Sequence, residues 1–199
     1  MTQIKTKRER IKFASDNVTG ACPEVLDAVL KANDEDRTPY GNDELSKNLQ
    51  NKFSEIFEKE VVVFPTASGT AANALALSTM TPSFGNIYCH RLSHINVDEC
   101  GAPEFYTGGA KLVNLNGNNG KIVAEDLDNN ITGKGIVHHT QPSSVSITQL
   151  CETGVAYQLD EIKKISATAH KHKLKIHMDG ARFANALVSV SYTHLRAHE

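Results

Sequence analysis

No apolar run in this sequence approaches the ~20 residues that a membrane-spanning helix needs. The first residues also lack the apolar stretch of a secretory leader. Cysteine is scarce: Cys22, Cys89, Cys100 and Cys151 are scattered, with no CxxC pair and no tight metal spacing. That excludes a disulfide framework and a cysteine metal cluster, and fits reduced thiols in a cytoplasm. Cys151 reads as a small space-filler. Charge of either sign is not in excess, with a formal net of −2. Nothing therefore pulls the whole chain toward nucleic acid or an anionic membrane. The basic run "KTKRERIK" is local and reads as a solvated tail over residues 1–12. Phosphate signatures of the common kind are missing too. Neither GxxxxGK[ST] nor GxGxxG occurs, which argues against a P-loop or a dinucleotide-binding domain. No internal repeat and no low-complexity segment is present.

What is there suits one soluble domain of ordinary size. The chain has 199 residues, 40% hydrophobic and 22% charged. Helices are expected at "CPEVLDAVLKAND", with Val25, Leu26, Val29 and Leu30 in a stripe, and at "DELSKNLQNKFSEIFEKE", with Leu45, Leu49, Phe53 and Ile56 on one face. Short apolar strands are expected at 61–65, 86–90, 111–115, 135–139 and 174–178, and helices at 69–80, around 124–130 and at 158–173. Apolar strands alternating with helices imply an α/β fold: a mostly parallel sheet covered on both faces, in three α/β/α layers. Such sheets bind ligands beyond the C-terminal ends of their strands. Informative residues should therefore follow the strands directly.

Four stretches do so. In "FPTASGTAAN" small residues join a strand to a helix, and the free N–H groups of a helix start attract an anion. Ser68 and Thr70 add hydroxyls, and Gly69 permits close approach; the plain alternative is an ordinary helix cap. In "RLSHINVDECGAPEF", His94 follows a strand and a turn, as a ligand platform, a base or merely a surface residue. In "GIVHH", His138 and His139 end an expected strand, and alternation lets only one face the site. In "KIHMDGAR", Asp179 stands at a strand end, three residues before Arg182; alone it is better explained as a helix cap. Ser15 and Asp16, in "FASDNVTG", lie in turn-prone sequence before the first helix. Together a phosphate site at Ser68–Thr70, an aromatic platform at His94 and a carboxylate for a ring nitrogen at Asp179 describe pyridoxal phosphate (PLP). No metal site is expected.

With "SDNVTG", "YGND", "PTASGTAAN", "SHINVDECGA", "SITQ" with "ETGVAYQLDEI", and "HMDGARFANA" in that order, the sequence resembles the low-specificity L-threonine aldolases. These are fold-type I PLP enzymes of the β-eliminating-lyase group. The resemblance runs from about Phe13 to about Val188. It implies that Ser68, Gly69 and Thr70 hold the cofactor phosphate, His94 stacks on the ring and Asp179 binds the ring nitrogen. Arg182 and Ser15 would hold the substrate carboxylate. His138, with His139 as fallback, would stand near the β-hydroxyl, and Tyr40 and Gly41 near an active site, of this subunit or a neighbour. The implied reaction is retro-aldol cleavage of a small β-hydroxy amino acid, threonine or allo-threonine, to glycine and acetaldehyde. The implied assembly is a homotetramer. Another amino-acid lyase of the same group is the alternative enzyme, and a non-catalytic PLP-binding module the alternative of another class.

One departure matters. The family's Schiff-base lysine follows "HMDGAR" by a few dozen residues, and no lysine here occupies that position. Residues 13–189 are therefore expected to form an incomplete PLP-binding large domain, inactive by itself. The ending "VSYTHLRAHE" (190–199) breaks from the family pattern and reads as an adapter-derived tail on a C-terminally truncated chain.

Overall fold

The structure, a computed structural model, describes residues 18–34 and 36–189. The chain divides into two compact units, between Asn51 and Lys52. The first unit holds helix α1 (Pro23–Asn33) and the start of α2 (Glu44–Ile56). Pro23 stands in the first turn of α1, where its missing N–H costs nothing. Asp43 caps α2: its Oδ1 accepts the Ser46 N–H at 3.0 Å and its Oδ2 the Ser46 hydroxyl at 2.7 Å. Those bonds hold the Asp43 carboxyl below its ordinary value. The apolar stripe of α1 (Val25, Leu26, Val29, Leu30) is exposed.

The second unit is a parallel sheet between helices. In chain order it runs α3 (Gly69–Met80), β1 (Gly85–His90), α4 (His94–Val97), α5 (Ala102–Tyr106), β2 (Lys111–Leu115), α6 (Ala124–Asn130), β3 (Gln141–Thr148), α7 (Leu159–His172), β4 (Lys175–Asp179) and α8 (Phe183–Ser189). The strands lie in the order β2-β1-β3-β4, all parallel. Every residue of β1 is buried, as befits a strand covered on both faces. Strand alternation sends Ile87 and Cys89 to one side, with Leu77 of α3, Ile95 and Ala110. Tyr88 goes to the other, with Leu115, Val145, Ile147 and residues of α6 and α7 such as Leu127, Ile165 and Ala169. The expected α/β/α layering is what the chain forms. Among the described residues, no helix is long and apolar enough to cross a membrane.

Two expected strands are absent, for physical reasons. Residues 61–65, "VVVFP", are the fully apolar run expected of a buried strand, but form no ladder among the described residues. A strand exists only with a hydrogen-bonded neighbour, and here Val62 and Phe64 stay 72% and 79% exposed. Residues 135–139 form turns, not a strand. Gly133 and Gly135 take φ of +78° and +77°, a backbone that bends the chain. The Gln141 amide then ties the bend together: its Nε2 donates to the carbonyls of Gly133, Ile136 and His139, and its Oε1 accepts the Gly135 N–H. The true strand, β3, begins at Gln141 in "QPSSVSIT", whose polar start hides it. Its Pro142 sits beside the register shift against Asn86–Ile87, where a ladder tolerates proline.

A buried histidine in the core makes stability depend on pH. His177 of β4 is buried, with Nδ1 at 2.8 Å from the Ser146 hydroxyl. Burial lowers its imidazole below the ordinary value of 6.5, partly opposed by the Asp179 charge. The unfolded chain therefore takes up that proton more readily than the folded one. The resulting stability is complete above about pH 6.5 and is lost as pH falls below it. Urea unfolding should show a midpoint that drops between about pH 7 and 5.5, and His177→Gln should flatten that drop.

Candidate active site

The topology marks one place on the sheet. After β1 the chain moves outward to β2, then returns to the other side of β1 as β3. The loops beyond the C-terminal ends of β1 and β3 therefore part from one another, and an open parallel sheet leaves a crevice at such a switch point. His94 follows β1 there, and Glu152 follows β3. They meet: the His94 backbone N–H donates to Glu152 Oε1 at 2.9 Å.

Asp179 is the last residue of β4 and is buried. Its Oδ1 accepts the Ala181 N–H at 3.0 Å, and its Oδ2 accepts from Asn73 Nδ2 at 3.0 Å. Asn73 lies one turn into α3, on the inward face with Ala74 and Leu77. Its Nδ2 also donates to Glu99 Oε1 at 2.7 Å. Glu99 Oε1 in turn receives His94 Nδ1 at 2.9 Å. Side-chain exposure is 39% for His94 and 0% for Glu99. One polar chain, Asp179–Asn73–Glu99–His94, thus joins residues from the ends of two strands through a helix.

The start of α3 lies on the same helix, a turn before Asn73. Ser68 caps it in an extended conformation, its Oγ accepting the Ala71 N–H at 3.2 Å. A Cβ at Gly69 would meet nothing within 4 Å, so the helix start opens on free space. Arg182 completes the group. Its Nε donates to the Leu150 carbonyl at 3.2 Å, and its terminal nitrogen lies 3.8 Å from Glu152 Oε1.

The fold thus brings Asp179 and His94 into one network and ties Arg182 and His94 to the same Glu152. It does not bring His138 to them. His138 lies in the turn that enters β3, whereas the network lies beyond the strand's far end. The rise of about 3.3 Å per residue puts those ends roughly 23 Å apart. His139 packs against Gly133 in the same bend. The strand expected at 135–139 is not formed; the place of His138 near the β-hydroxyl, with His139 as fallback, is what the resemblance implies. Tyr40 belongs to the first unit, at φ +63° in an exposed turn, and Ser15 lies outside the described residues. Asn73, Glu99 and Glu152 were passed over in the sequence. The available signal was Asn73, a polar residue four before Leu77 on a helix's inward face.

The model of the beta-eliminating lyase family matches residues 12–196. This chain belongs to that family. It is 40% identical over 182 residues to a low specificity L-threonine aldolase of Pseudomonas sp. (strain NCIMB 10558), covering 92% of this chain and 53% of that protein. It is 39% identical over 175 residues to the Pseudomonas aeruginosa low specificity L-threonine aldolase, covering 88% and 51%. The chain therefore spans about half the length of these relatives. Among solved structures, Leishmania major threonine aldolase superposes with a TM-score of 0.80 at 29% identity, over 85% of this chain and 49% of that one. A serine palmitoyltransferase from S. paucimobilis, solved with PLP bound, shares the fold: TM-score 0.55, 19% identity, over 78% of this chain and 37% of that one.

Proposed function

We propose that the full-length protein is a PLP-dependent aldolase that cleaves L-threonine and allo-threonine to glycine and acetaldehyde. These 199 residues form its cofactor-holding part. One observation carries the reading: Asp179, at a strand end, meets Asn73 one turn into a helix whose start opens on free space. A carboxylate for a ring nitrogen and an anion site for a phosphate thus belong to one end of one sheet. The donor set fits PLP.

Bound PLP supplies an electron sink for the breaking carbon–carbon bond. The chain's own residues hold it and steer the protons. The Asp179 carboxylate would hold a proton on the ring nitrogen, an attraction of roughly 4 kcal/mol at ~4 Å and an effective dielectric of 20. Ser68, Gly69 and Thr70 would hold the phosphate through the helix start and two hydroxyls. His94 would serve as the platform for the ring. Its Nδ1 is given to Glu99, which leaves Nε2, directly or through a water, to accept the substrate's β-hydroxyl proton. Arg182 binds the substrate carboxylate and holds it for cleavage. The resemblance adds Ser15 for that carboxylate, Tyr40 near an active site and assembly as a homotetramer; the scattered cysteines add a cytoplasmic location.

The test is acetaldehyde release from L-threonine, followed with a coupled alcohol dehydrogenase. The full-length protein should release it, together with one glycine per aldehyde. The 199 residues alone should bind PLP without turnover, since none of their lysines matches the family's Schiff-base position. Pyruvate and ammonia from tyrosine, tryptophan or cysteine, with no aldehyde from threonine, would replace the aldolase by an eliminating lyase. No turnover by the full-length protein would leave a binding module.

A further inference from the structure

The residues between Asp179 and His94 do more than fill the core. Glu99 is a carboxylate with a fully buried side chain, and its Oε2 is buried without a hydrogen-bond partner among the described residues. Such a group is costly to bury, and an apolar residue of similar size would serve packing better. Both of its described partners, Asn73 and His94, converge on Oε1. Asn73 has two amide hydrogens and spends one on Glu99 and one on Asp179. With a carboxylate on each side, the amide nitrogen must face both, so its orientation is fixed. An ionised Glu99 only accepts, so His94 must carry its proton on Nδ1 when neutral. That is opposite to the Nε2–H form that Glu99 would not engage. A histidine's tautomer is set by the hydrogen bond its other nitrogen makes.

We infer that Glu99 and Asn73 are positioning residues for the cofactor pair, a reading that rests on the proposed PLP site. Glu99 fixes the plane and tautomer of His94. Asn73 locks Glu99 to Asp179, so that the group on the ring's edge and the group on its face keep a constant separation. Neither residue touches the cofactor.

Long-range ¹H–¹⁵N spectra of the histidine rings test this without any cofactor. The His94 signals are assigned by their loss in His94→Asn. In the full chain, with its ring neutral, His94 should show a protonated Nδ1 and a bare Nε2. Glu99→Gln keeps an acceptor oxygen at the Oε1 position and should preserve that pattern. Glu99→Leu removes the acceptor and should shift the ring toward the Nε2–H form. Equilibrium dialysis with PLP gives the second readout: Glu99→Leu and Asn73→Ala should each raise the dissociation constant about tenfold, the size that outer partners of a binding histidine carry in metal sites. Glu99→Gln should stay near the parent. A bare Nδ1 in the parent chain overturns the inference, and so does an unchanged tautomer in Glu99→Leu. PLP binding equally tight in all variants overturns it as well. If the parent chain shows the Nδ1–H form but binds no PLP, the cofactor reading fails and Glu99's hold on His94 stands alone.

Discussion

Asp179→Asn should lower kcat/KM for threonine cleavage by the full-length protein about a hundredfold to a thousandfold. The substitution keeps a carbonyl oxygen for the Ala181 N–H, which Asp179 Oδ1 accepts at 3.0 Å, so the turn into α8 keeps its bond. What it removes is the negative charge at the end of β4. An attraction of roughly 4 kcal/mol at an effective dielectric of 20 corresponds to about three powers of ten in rate, and relaxation around the amide returns part of it. Asn73 Nδ2 donates to the same carboxylate and holds it where the ring nitrogen would meet it. The check is paired: steady-state kinetics with the coupled dehydrogenase, and urea unfolding to measure separately the loss of about 1–3 kcal/mol expected where the new amide faces Asn73 Nδ2 instead of accepting from it. Cleavage at the parent rate would remove Asp179 from the cofactor site.

Gly117→Ala should have the largest effect on stability of any glycine-to-alanine change in the second unit. Gly117 is extended, at φ 176°, so a side chain is compatible with its backbone. The obstacle is space: a Cβ there would lie 1.8 Å from the Lys121 carbonyl oxygen and 2.9 Å from its carbon. Both are backbone atoms and cannot swing aside. The stretch after β2 would have to open, and it carries the Gly117 carbonyl that lies 3.2 Å from His90 Nε2. A loss of about 3 kcal/mol or more is expected in denaturant unfolding. Gly69→Ala is the contrast. Nothing lies within 4 Å of its Cβ position, so its stability should change by less than about 0.5 kcal/mol. An equal response of the two variants would count against the close packing of residues 117–121.

How much of this was legible in the sequence depended on the range of the forces involved. Helix α3 and strand β2 fall where they were expected, at Gly69–Met80 and Lys111–Leu115. Their signals are local: a serine cap with a run of helix formers, and a short β-rich stretch. Asp179 and His94 were legible as neighbours because residues that follow parallel strands gather at one rim, and Asn73 and Glu99 join them there. Residues 61–65 are a fully apolar run, yet a ladder needs a neighbour that such a run does not reveal. The bend before β3 is held by a single side chain, Gln141, whose bonding pattern has no sequence signature. The relay through Asn73 was invisible for a related reason. Its two hydrogen bonds close over 26 and 106 residues, and no local pattern encodes a contact of that span.

The span has a consequence during synthesis. Asn73 leaves the ribosome long before Asp179, and at roughly 5–20 residues per second the wait is about 5–20 s. Throughout it the inward face of α3 has no β4 to meet, and until Thr148 is made β1 waits for β3. The nascent chain must keep a polar amide and several aliphatic side chains from other partners for that time. Codons that hasten translation from β3 through β4 should therefore raise the soluble yield, while a pause between them should send more of the chain to holding chaperones.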